Sequence, residues 1–375
     1  MTATTIGGGI IPLLPFLLFV VSLSSSPFVS GYTPLSASTL NKLPALISPS
    51  DFTTTPGSGG LLSPLLIPRV PGTEGSARAR RHFLDFFREE LPRWSVEVHN
   101  SSSVTPVSGG VEVEFVNLVL RRDPPWRTDQ EEGIERLTLV AHYDSLYRPE
   151  GFIGAVDSAA ACAILLGVVR GVDEALTRKW ERQEGQGEGL EEDVGVQILL
   201  LDGEEAWEVW SDTDSLYGAR ALASDWDAQG RLRSIGLFVL LDLLGAPGPS
   251  VPSYFAKTHW AYRLLAGVEG RLRDQGGLET TGKWFGDMEK KAHMFTRHFV
   301  LDDHVPFMER GVDVLHVIPS PFPDVWHTME DDGDHLDGPT VRDWARIFMV
   351  FVAEWLELDG FFGGGEGYLG EKDEL

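Results

Sequence analysis

The sequence predicts an α/β fold, in which one domain is built on a central, mostly parallel mixed sheet with helices on both faces. Apolar runs that have the length and continuity of buried strands alternate along the chain with stretches of helical periodicity. In addition, 42% of the 375 residues are hydrophobic, which is enough for a large core. Both observations favour a single large domain with unstructured ends.

The predicted elements begin with a helix over 77–91 and an alternating strand over 111–120. Buried strands are then predicted over 136–141, 196–202, 235–242 and 312–318. Helices are predicted between and after them, over 158–172, 215–228, 258–274 and 338–358. Strands that alternate with helices in this way indicate a sheet that is covered on both faces.

The two ends of the chain are predicted to carry targeting signals and to lie outside the folded domain. Residues 1–30 are predicted to be a signal peptide, because the apolar run 10–23 is short for a membrane span and small residues follow it; an uncleaved anchor is the alternative. Residues 31–63 are rich in Pro, Ser, Thr and Gly and are predicted to be a poorly ordered leader. The folded domain is predicted over 64–358, and a Gly-rich tail over 359–375.

The tail ends in Lys-Asp-Glu-Leu at 372–375, a retention signal of the endoplasmic reticulum. It predicts residence in the endoplasmic reticulum lumen, with the KDEL retrieval receptor as a partner. Cys162 is the only cysteine, so an intrachain disulfide is impossible in that oxidising compartment. Asn100, Ser101 and Ser102 form a glycosylation sequon, which the prediction places between regular elements.

The charge balance argues against one class of partner. The chain has 31 basic and 56 acidic residues, so its formal net charge is −25. A polyanion would be repelled, and nucleic acid is therefore not expected to bind.

Acidic and imidazole side chains follow the predicted strands, at the edge of an α/β sheet where ligands usually bind. They are His142 and Asp144, Asp202 with Glu204 and Glu205, Asp242, and His316 with His327, while Asp157 follows a glycine-containing loop. Each has an ordinary explanation as a helix cap, a turn residue or a loop residue. Together they are better explained by a zinc site with Asp, Glu and His ligands and an open position.

Glu204 and Glu205 form the most informative pair in this set. Consecutive side chains diverge, so one carboxylate can bind a metal while the other transfers protons. The alternative is that both glutamates lie in the first turn of a helix, where acidic side chains are common.

Seven stretches of the chain resemble the animal-type glutaminyl-peptide cyclotransferases, which are single-zinc relatives of the two-zinc aminopeptidases in the M28 peptidase clan. The stretches are HYDS (142–145), GAVDSA (154–159), DGEEA (202–206), DSLYGAR (214–220), LLDLLGAP (240–247), DDHVPF (302–307) and VLHVIPSPFPDVWHT (314–328). The resemblance runs over about 64–358 and implies a zinc aminopeptidase-like fold and a catalytic domain. The loop over 145–153 and the acidic stretch over 181–193 depart from the family pattern.

The resemblance also implies roles for individual residues. One zinc ion per chain would be held by Asp157, Glu205 and His327. Glu204 would be the acid/base, with Asp242 as its hydrogen-bonding partner and Asp302 in the same carboxylate network. The substrate pocket would be shaped by Trp210, His316, Phe322 and Trp326. The implied reaction converts an N-terminal Gln of peptides or proteins, and more slowly Glu, into pyroglutamate with release of ammonia or water.

Two other functions remain open at the level of sequence. A two-zinc aminopeptidase would need five ligands, and residues of the right types stand at His142, Asp157, Glu205, Asp242 and His327. A non-catalytic binding protein of the lumen that kept the fold is the third possibility. Asp303 and His304 are interpreted as structural residues.

Overall fold

A single mixed sheet organises the computed structural model of the chain, which describes residues 32–127, 133–186, 194–296 and 300–363. In this described part the sheet has six strands: β1 (Ser95–Val104), β2 (Glu112–Arg122), β3 (Glu135–His142), β4 (Val194–Leu201), β5 (Ile235–Leu241) and β6 (Val314–Val317). Their order across the sheet is β1, β2, β4, β3, β5, β6. Strands β3 to β6 run parallel, whereas β1 and β2 pair antiparallel. The predicted mostly parallel mixed sheet is confirmed.

Helices cover both faces of the sheet, as predicted. They are α1 (Ala37–Leu40), α2 (Glu74–Glu90), α3 (Ala160–Gln186), α4 (Tyr217–Ala228), α5 (His259–Asp274), α6 (Val305–Met308) and α7 (Gly338–Trp355). Alternate residues of β5 show the arrangement: Leu237 and Val239 belong to the core with α2, α3, α5 and α7, while Phe238 and Leu240 belong to the core with α4 and α6. Parallel strands are buried on both faces, which explains why their sequences are continuous apolar runs.

Helix α3 is long and apolar enough, by composition, to cross a membrane. In the domain, however, 89% of its most apolar window is buried against protein. The apolar composition is thus explained by the position of α3 in the core, where it packs against α7. The helix also continues to Gln186, past its predicted end at 172 and into the acidic stretch over 181–193, of which 187–193 lie outside the described residues.

The prediction of a poorly ordered leader over 31–63 is wrong for the described part of that segment. Short helical turns at Leu43–Leu46 and Pro49–Phe52 follow α1, and Leu40, Leu43 and Phe52 are at most 3% exposed in the main core. The frequent Pro and Ser residues conceal these apolar anchors, since no periodic pattern connects them. The predicted signal peptide and the KDEL ending lie outside the described residues.

Strand β1 was not predicted. Its sequence SVEVHNSSSV is mostly polar, because it lies at the edge of the sheet and pairs only with β2 among the described strands. The sequon residue Asn100 therefore lies within a strand, opposite Val116, and not between elements.

Candidate metal centre and active site

The predicted functional residues meet at one edge of the sheet. His142 is the last residue of β3, Glu204 and Glu205 follow β4, and Asp242 follows β5 directly. Because β3, β4 and β5 are parallel, their carboxyl ends lie side by side. Loop residues Asp157 and His327 join them, and both lie close to the strand-end side chains.

A turn at Gly203 delivers the two glutamates. Its φ is +77°, and a Cβ atom there would lie 2.3 Å from the Phe115 ring, so glycine is required on both counts. The carboxylate of Asp144 then accepts the main-chain N–H groups of Glu204 at 3.1 Å and Glu205 at 3.2 Å. These residues are not helical, and α4 begins only at Tyr217, so the alternative of a first helical turn is wrong.

The loop that carries Asp157 is fixed by residues that sequence reasoning missed. Asp331 accepts the N–H groups of Val156 at 2.6 Å and Asp157 at 3.2 Å. Arg69 is 1% exposed and donates to the carbonyl oxygen of Gly154 at 3.0 Å. Asp331 stands in an acidic run that resembles a solvated surface, and Arg69 stands between prolines at the start of the predicted domain, so neither had a local signal.

Asp157, Glu205 and His327 form a group that could hold a metal ion, as predicted from the resemblance. Each offers one ligand atom, and these atoms lie within 4.8 Å of one another. His327 Nε2 is 3.5 Å from Asp157 Oδ2 and 3.6 Å from Glu205 Oε2. Ligands at about 2.0–2.2 Å from a tetrahedral zinc ion lie roughly 3.3 Å apart, so the three side chains need only small shifts.

The electrostatics of this group also fit a cation. Glu205 is 4% exposed, and its Oε1 has no hydrogen-bond partner among the described residues. Burial and the charge of Asp157 raise the pKa of Glu205 well above its ordinary value. A bound divalent cation would satisfy the unpaired oxygen and offset the repulsion between the carboxylates. The residues present therefore fit a metal ion.

A second group, made of His142, Asp157 and Asp242, is already joined by hydrogen bonds. His142 Nε2 lies 3.0 Å from Asp157 Oδ1 and 3.3 Å from Asp242 Oδ1. Burial opposes protonation of His142, but hydrogen bonds to Asp144, Asp157 and Asp242 outweigh it and raise the pKa. These bonds favour protonation of His142 in the absence of a metal ion, although the same three side chains also lie close enough together to hold one.

Glu204 lies beside the metal group and is 6% exposed. Burial raises its pKa well above the ordinary value; the positive charge of His142 opposes this shift, while Glu205 and Asp302 add to it. A carboxyl group whose pKa is raised in this way can both accept and return a proton.

The remaining members of the predicted network lie next to each other. Asp242 accepts a short hydrogen bond from the Ser158 hydroxyl, and it also accepts the N–H of Leu243 at 2.8 Å. His316 Nε2 lies 2.7 Å from Asp302 Oδ2. Burial lowers the pKa of His316 to about 4, so its ring is neutral near pH 7. The His304 ring is tilted by 45° against the His316 ring, with ring centroids 4.5 Å apart.

Two of the four predicted pocket residues border the metal group. The Trp326 ring stacks on His327 with centroids 3.9 Å apart, and Phe322 meets Trp326 edge-on at 4.9 Å. Trp326 is 39% exposed, so this aromatic pair is accessible to solvent beside the metal group. His316 is 2% exposed and lies against Asp302, and half-buried Trp210 packs beside the core under α4, so the pocket roles of these two stay predictions.

Known proteins resemble this chain in sequence and in fold. The profile of peptidase family M28 matches residues 126–352. An uncharacterized protein of Saccharomyces cerevisiae is 39% identical over 315 residues, which cover 79% of this chain and 83% of that protein. The glutaminyl-peptide cyclotransferase of Bothrops jararaca is 37% identical over 311 residues, covering 79% of this chain and 80% of the relative. A crystal structure of Macrostomum lignano glutaminyl cyclase superposes with a TM-score of 0.73 at 30% identity, covering 88% of this chain and 96% of that one.

The sheet, the clustered carboxylates and the profile match define a protein of the M28 peptidase class. Within that class, the chain belongs to the glutaminyl-peptide cyclotransferase family.

Proposed function

We propose that this protein is a zinc-dependent glutaminyl-peptide cyclotransferase, which converts an N-terminal Gln, and more slowly Glu, into pyroglutamate. The observation that carries the proposal is the buried Glu204 next to a three-residue metal group that opens beside aromatic side chains. The names of the related proteins support the same reaction. The substrates would be peptides or proteins with N-terminal Gln or Glu.

Asp157, Glu205 and His327 would hold one zinc ion per chain. When bound, zinc would supply Lewis-acid polarisation of the substrate's γ-carbonyl group. Phe322 and Trp326 would exclude water from one side of the substrate and hold its side chain near the metal group. Trp210 and His316 would complete the pocket.

Glu204 would move the proton in this reaction. The substrate's own α-amine attacks the γ-carbonyl carbon, and the Glu204 carboxylate takes the proton that the amine loses. Glu204 then returns the proton to the departing nitrogen, which leaves as ammonia. The raised pKa of Glu204 suits this exchange, because a weakly acidic carboxyl group binds the proton between the two steps.

Asp242 and Asp302 would support Glu204 in this role through their negative charge. Charge on Asp302 contributes to the raised pKa of Glu204, and charge on Asp242 contributes to the raised pKa of Asp302, after burial as the main cause in both cases. The acid/base behaviour of Glu204 and Asp302 would therefore be shared between them.

No second metal ion is needed for cyclisation. An N-terminal amine has a reference pKa of about 7.7–8.0, so a useful fraction is neutral near pH 7 and requires no activation. Hydrolysis by an aminopeptidase would instead need an activated water. A site with one metal ion would leave His142 hydrogen-bonded between Asp157 and Asp242, as it lies in the structure.

The endoplasmic reticulum lumen would be the place of action. The apolar segment near the N-terminus and the KDEL ending support entry into the secretory pathway and retrieval by the KDEL receptor.

Ammonia release from a Gln-initiated peptide, before and after chelation, tests this function. We expect chelation to abolish the activity and added zinc to restore it. Glu204→Gln should lower kcat by about 10²–10⁴-fold while the variant still binds one zinc ion, because it removes the proton carrier and leaves the metal group.

Two results would contradict the proposal. Two tightly bound zinc ions with release of free amino acids from peptides would favour the aminopeptidase. A protein without bound metal or either activity would favour the binding protein.

A further inference from the structure

Strand β1 forms one edge of the sheet and is 10 residues long. Among the described strands it pairs with β2 alone, so its outer main-chain groups have no strand beside them. A long exposed edge of this kind can pair with a second chain unless it is protected.

One face of β1 carries an apolar stripe, which consists of Val96, Val98 and Val104. These side chains are 42%, 46% and 50% exposed. Because side chains alternate along a strand, Asn100 and Ser102 lie on the same face, between Val98 and Val104. None of these five residues is charged.

The charged residues of β1 point to the opposite face. Glu97 pairs there with Arg121 and Arg231, both at 2.8 Å, and His99 Nε2 lies 2.8 Å from Asp225 Oδ2. The charges of β1 itself are therefore engaged on the α4 side. On the stripe side, Ser102 donates to the Glu112 carboxylate of β2 at 2.7 Å, so a charge lies beside the Val104 end, whereas Val96 and Val98 lie opposite leucines.

Asn100 offers a different protection. It is exposed, and with Ser101 and Ser102 it forms the one Asn-X-Ser/Thr sequon of the sequence. Residues two apart on a strand are roughly 7 Å apart, so Val98 is an immediate neighbour of the Asn100 side chain, and Val96 and Val104 lie about twice as far away. The sequon thus lies in the middle of the apolar stripe.

We propose that Asn100 carries an N-linked glycan that covers this stripe and blocks the β1 edge. The glycan would come from a lipid-diphosphate-linked oligosaccharide. The Asn100 amide nitrogen would form a bond to C1 of the first sugar, the bond from C1 to the phosphate oxygen would break, and the amide would lose one proton as the lipid diphosphate leaves. The proposal rests on the proposed lumenal location, but not on the catalytic reaction.

The first experiment measures whether Asn100 carries a glycan in the full chain expressed in eukaryotic cells. We expect enzymatic deglycosylation to lower the mass of the wild-type protein and to convert Asn100 to Asp in its peptide. Ser102→Ala should abolish the glycan, whereas the matched Ser102→Thr should keep it, because both hydroxyl residues complete a sequon.

A second, engineered sequon tests the glycan on Asn100 separately from the proposed lumenal location. Pro56→Asn creates an Asn-Gly-Ser sequence in an exposed turn away from β1. A glycan on that site but not on Asn100 would overturn the proposal and leave the lumenal location standing. Absence of glycan on both sites would overturn both.

The second experiment measures self-association by sedimentation. Ser102→Ala should form concentration-dependent oligomers, and adding Val96→Lys and Val98→Lys should return it to the wild-type state, because charges protect an edge as a glycan does. Ammonia release by dilute Ser102→Ala should be unchanged. A Ser102→Ala variant that does not self-associate, or a glycosylated wild-type protein that dimerises through β1, would overturn the covering role.

Discussion

Arg69 connects two segments that flank the candidate metal centre. Its guanidinium donates to the carbonyl oxygens of Tyr143 at 2.6 Å, Ile153 at 2.7 Å and Gly154 at 3.0 Å. Tyr143 follows the end of β3, and Gly154 begins the loop that carries Asp157. The planar group therefore holds two segments at a distance that suits the metal group, a task for which its several donors are needed.

Replacing Arg69 should weaken metal binding. Arg69→Lys keeps the charge but cannot donate to these carbonyl groups together, so we expect the zinc affinity to fall by about 10–100-fold. Competition with a chelator measures the affinity, and exposed Arg88→Lys serves as the control. Equal zinc affinities of wild-type protein and Arg69→Lys would contradict a positioning role.

The raised pKa of Glu135, which lies away from the candidate active site, predicts that the stability of the fold depends on pH. Burial raises its pKa to about 7, compared with an ordinary value near 4.5. Between these values the folded protein binds more protons than the unfolded chain, so stability falls as the pH rises through this window. Above pH 7 the cost of the buried charge is fully present.

Glu135→Gln removes that charge. We expect its Tm to exceed that of the wild-type protein at pH 8 and to differ little at pH 5, where folded wild-type Glu135 is already protonated. Thermal unfolding at both pH values measures the difference, with exposed Glu309→Gln as the matched control. A difference that does not depend on pH would contradict the raised pKa.

The leader shows how short elements can complete a core. Leu40, Leu43 and Phe52 fill the core on the side of α3 and α7, and a Cβ on Gly167 of α3 would lie 3.2 Å from the Phe52 ring. The main-chain N–H of Leu35 is also tied to the Glu354 carboxylate of α7 at 2.8 Å. The folded domain therefore includes residues from about 35 onward, earlier than the predicted start.

Two leucines of the same helical turn test this packing. Leu43 is fully buried and Leu46 is 47% exposed. Leu43→Ala should lower the free energy of unfolding by about 2–4 kcal/mol, because it leaves a cavity, whereas Leu46→Ala should change it by less than about 0.5 kcal/mol. Denaturant unfolding measures both. If neither substitution changed the free energy of unfolding, the leader would not be packed against the core.

The whole molecule brings several buried carboxylates to one sheet edge, in a chain whose formal net charge is −25. This arrangement opposes folding unless positive charge compensates for it. His142 provides part of the compensation, and a metal ion bound by Asp157, Glu205 and His327 would provide more.

Metal removal should therefore lower the stability of the entire domain. We expect chelation to reduce Tm and one equivalent of zinc to restore it, since zinc at 100 times its Kd adds about 2.7 kcal/mol. Glu205→Gln should lose this zinc response, whereas neighbouring Glu204→Gln should keep it. A response that saturates only at two equivalents, or that Glu204→Gln abolishes, would contradict the assignment of ligands.

Much of this architecture could be predicted from local patterns. Buried strands and helices have periodicities that span only a few residues, so β3 to β6 and most helices around them were found within a few positions of their ends. The exception is α3, which continues to Gln186, beyond its predicted end at 172. The residues Asp157, Glu205 and His327 follow from motifs of similar length, and the structure brings them together.

The sequence by itself determined the alternating elements, the carboxylates at the strand ends and the family motifs, because each is encoded by neighbouring residues. Only the tertiary structure decided that Arg69 and Asp331 support the metal loop, that the leader belongs to the core, and that β1 is an exposed edge. The bonds from Asp331 to Val156 and from Arg69 to Tyr143 span 175 and 74 residues. Contacts between such distant segments leave no periodic trace in the chain, so they are visible only after the sheet has brought those segments together.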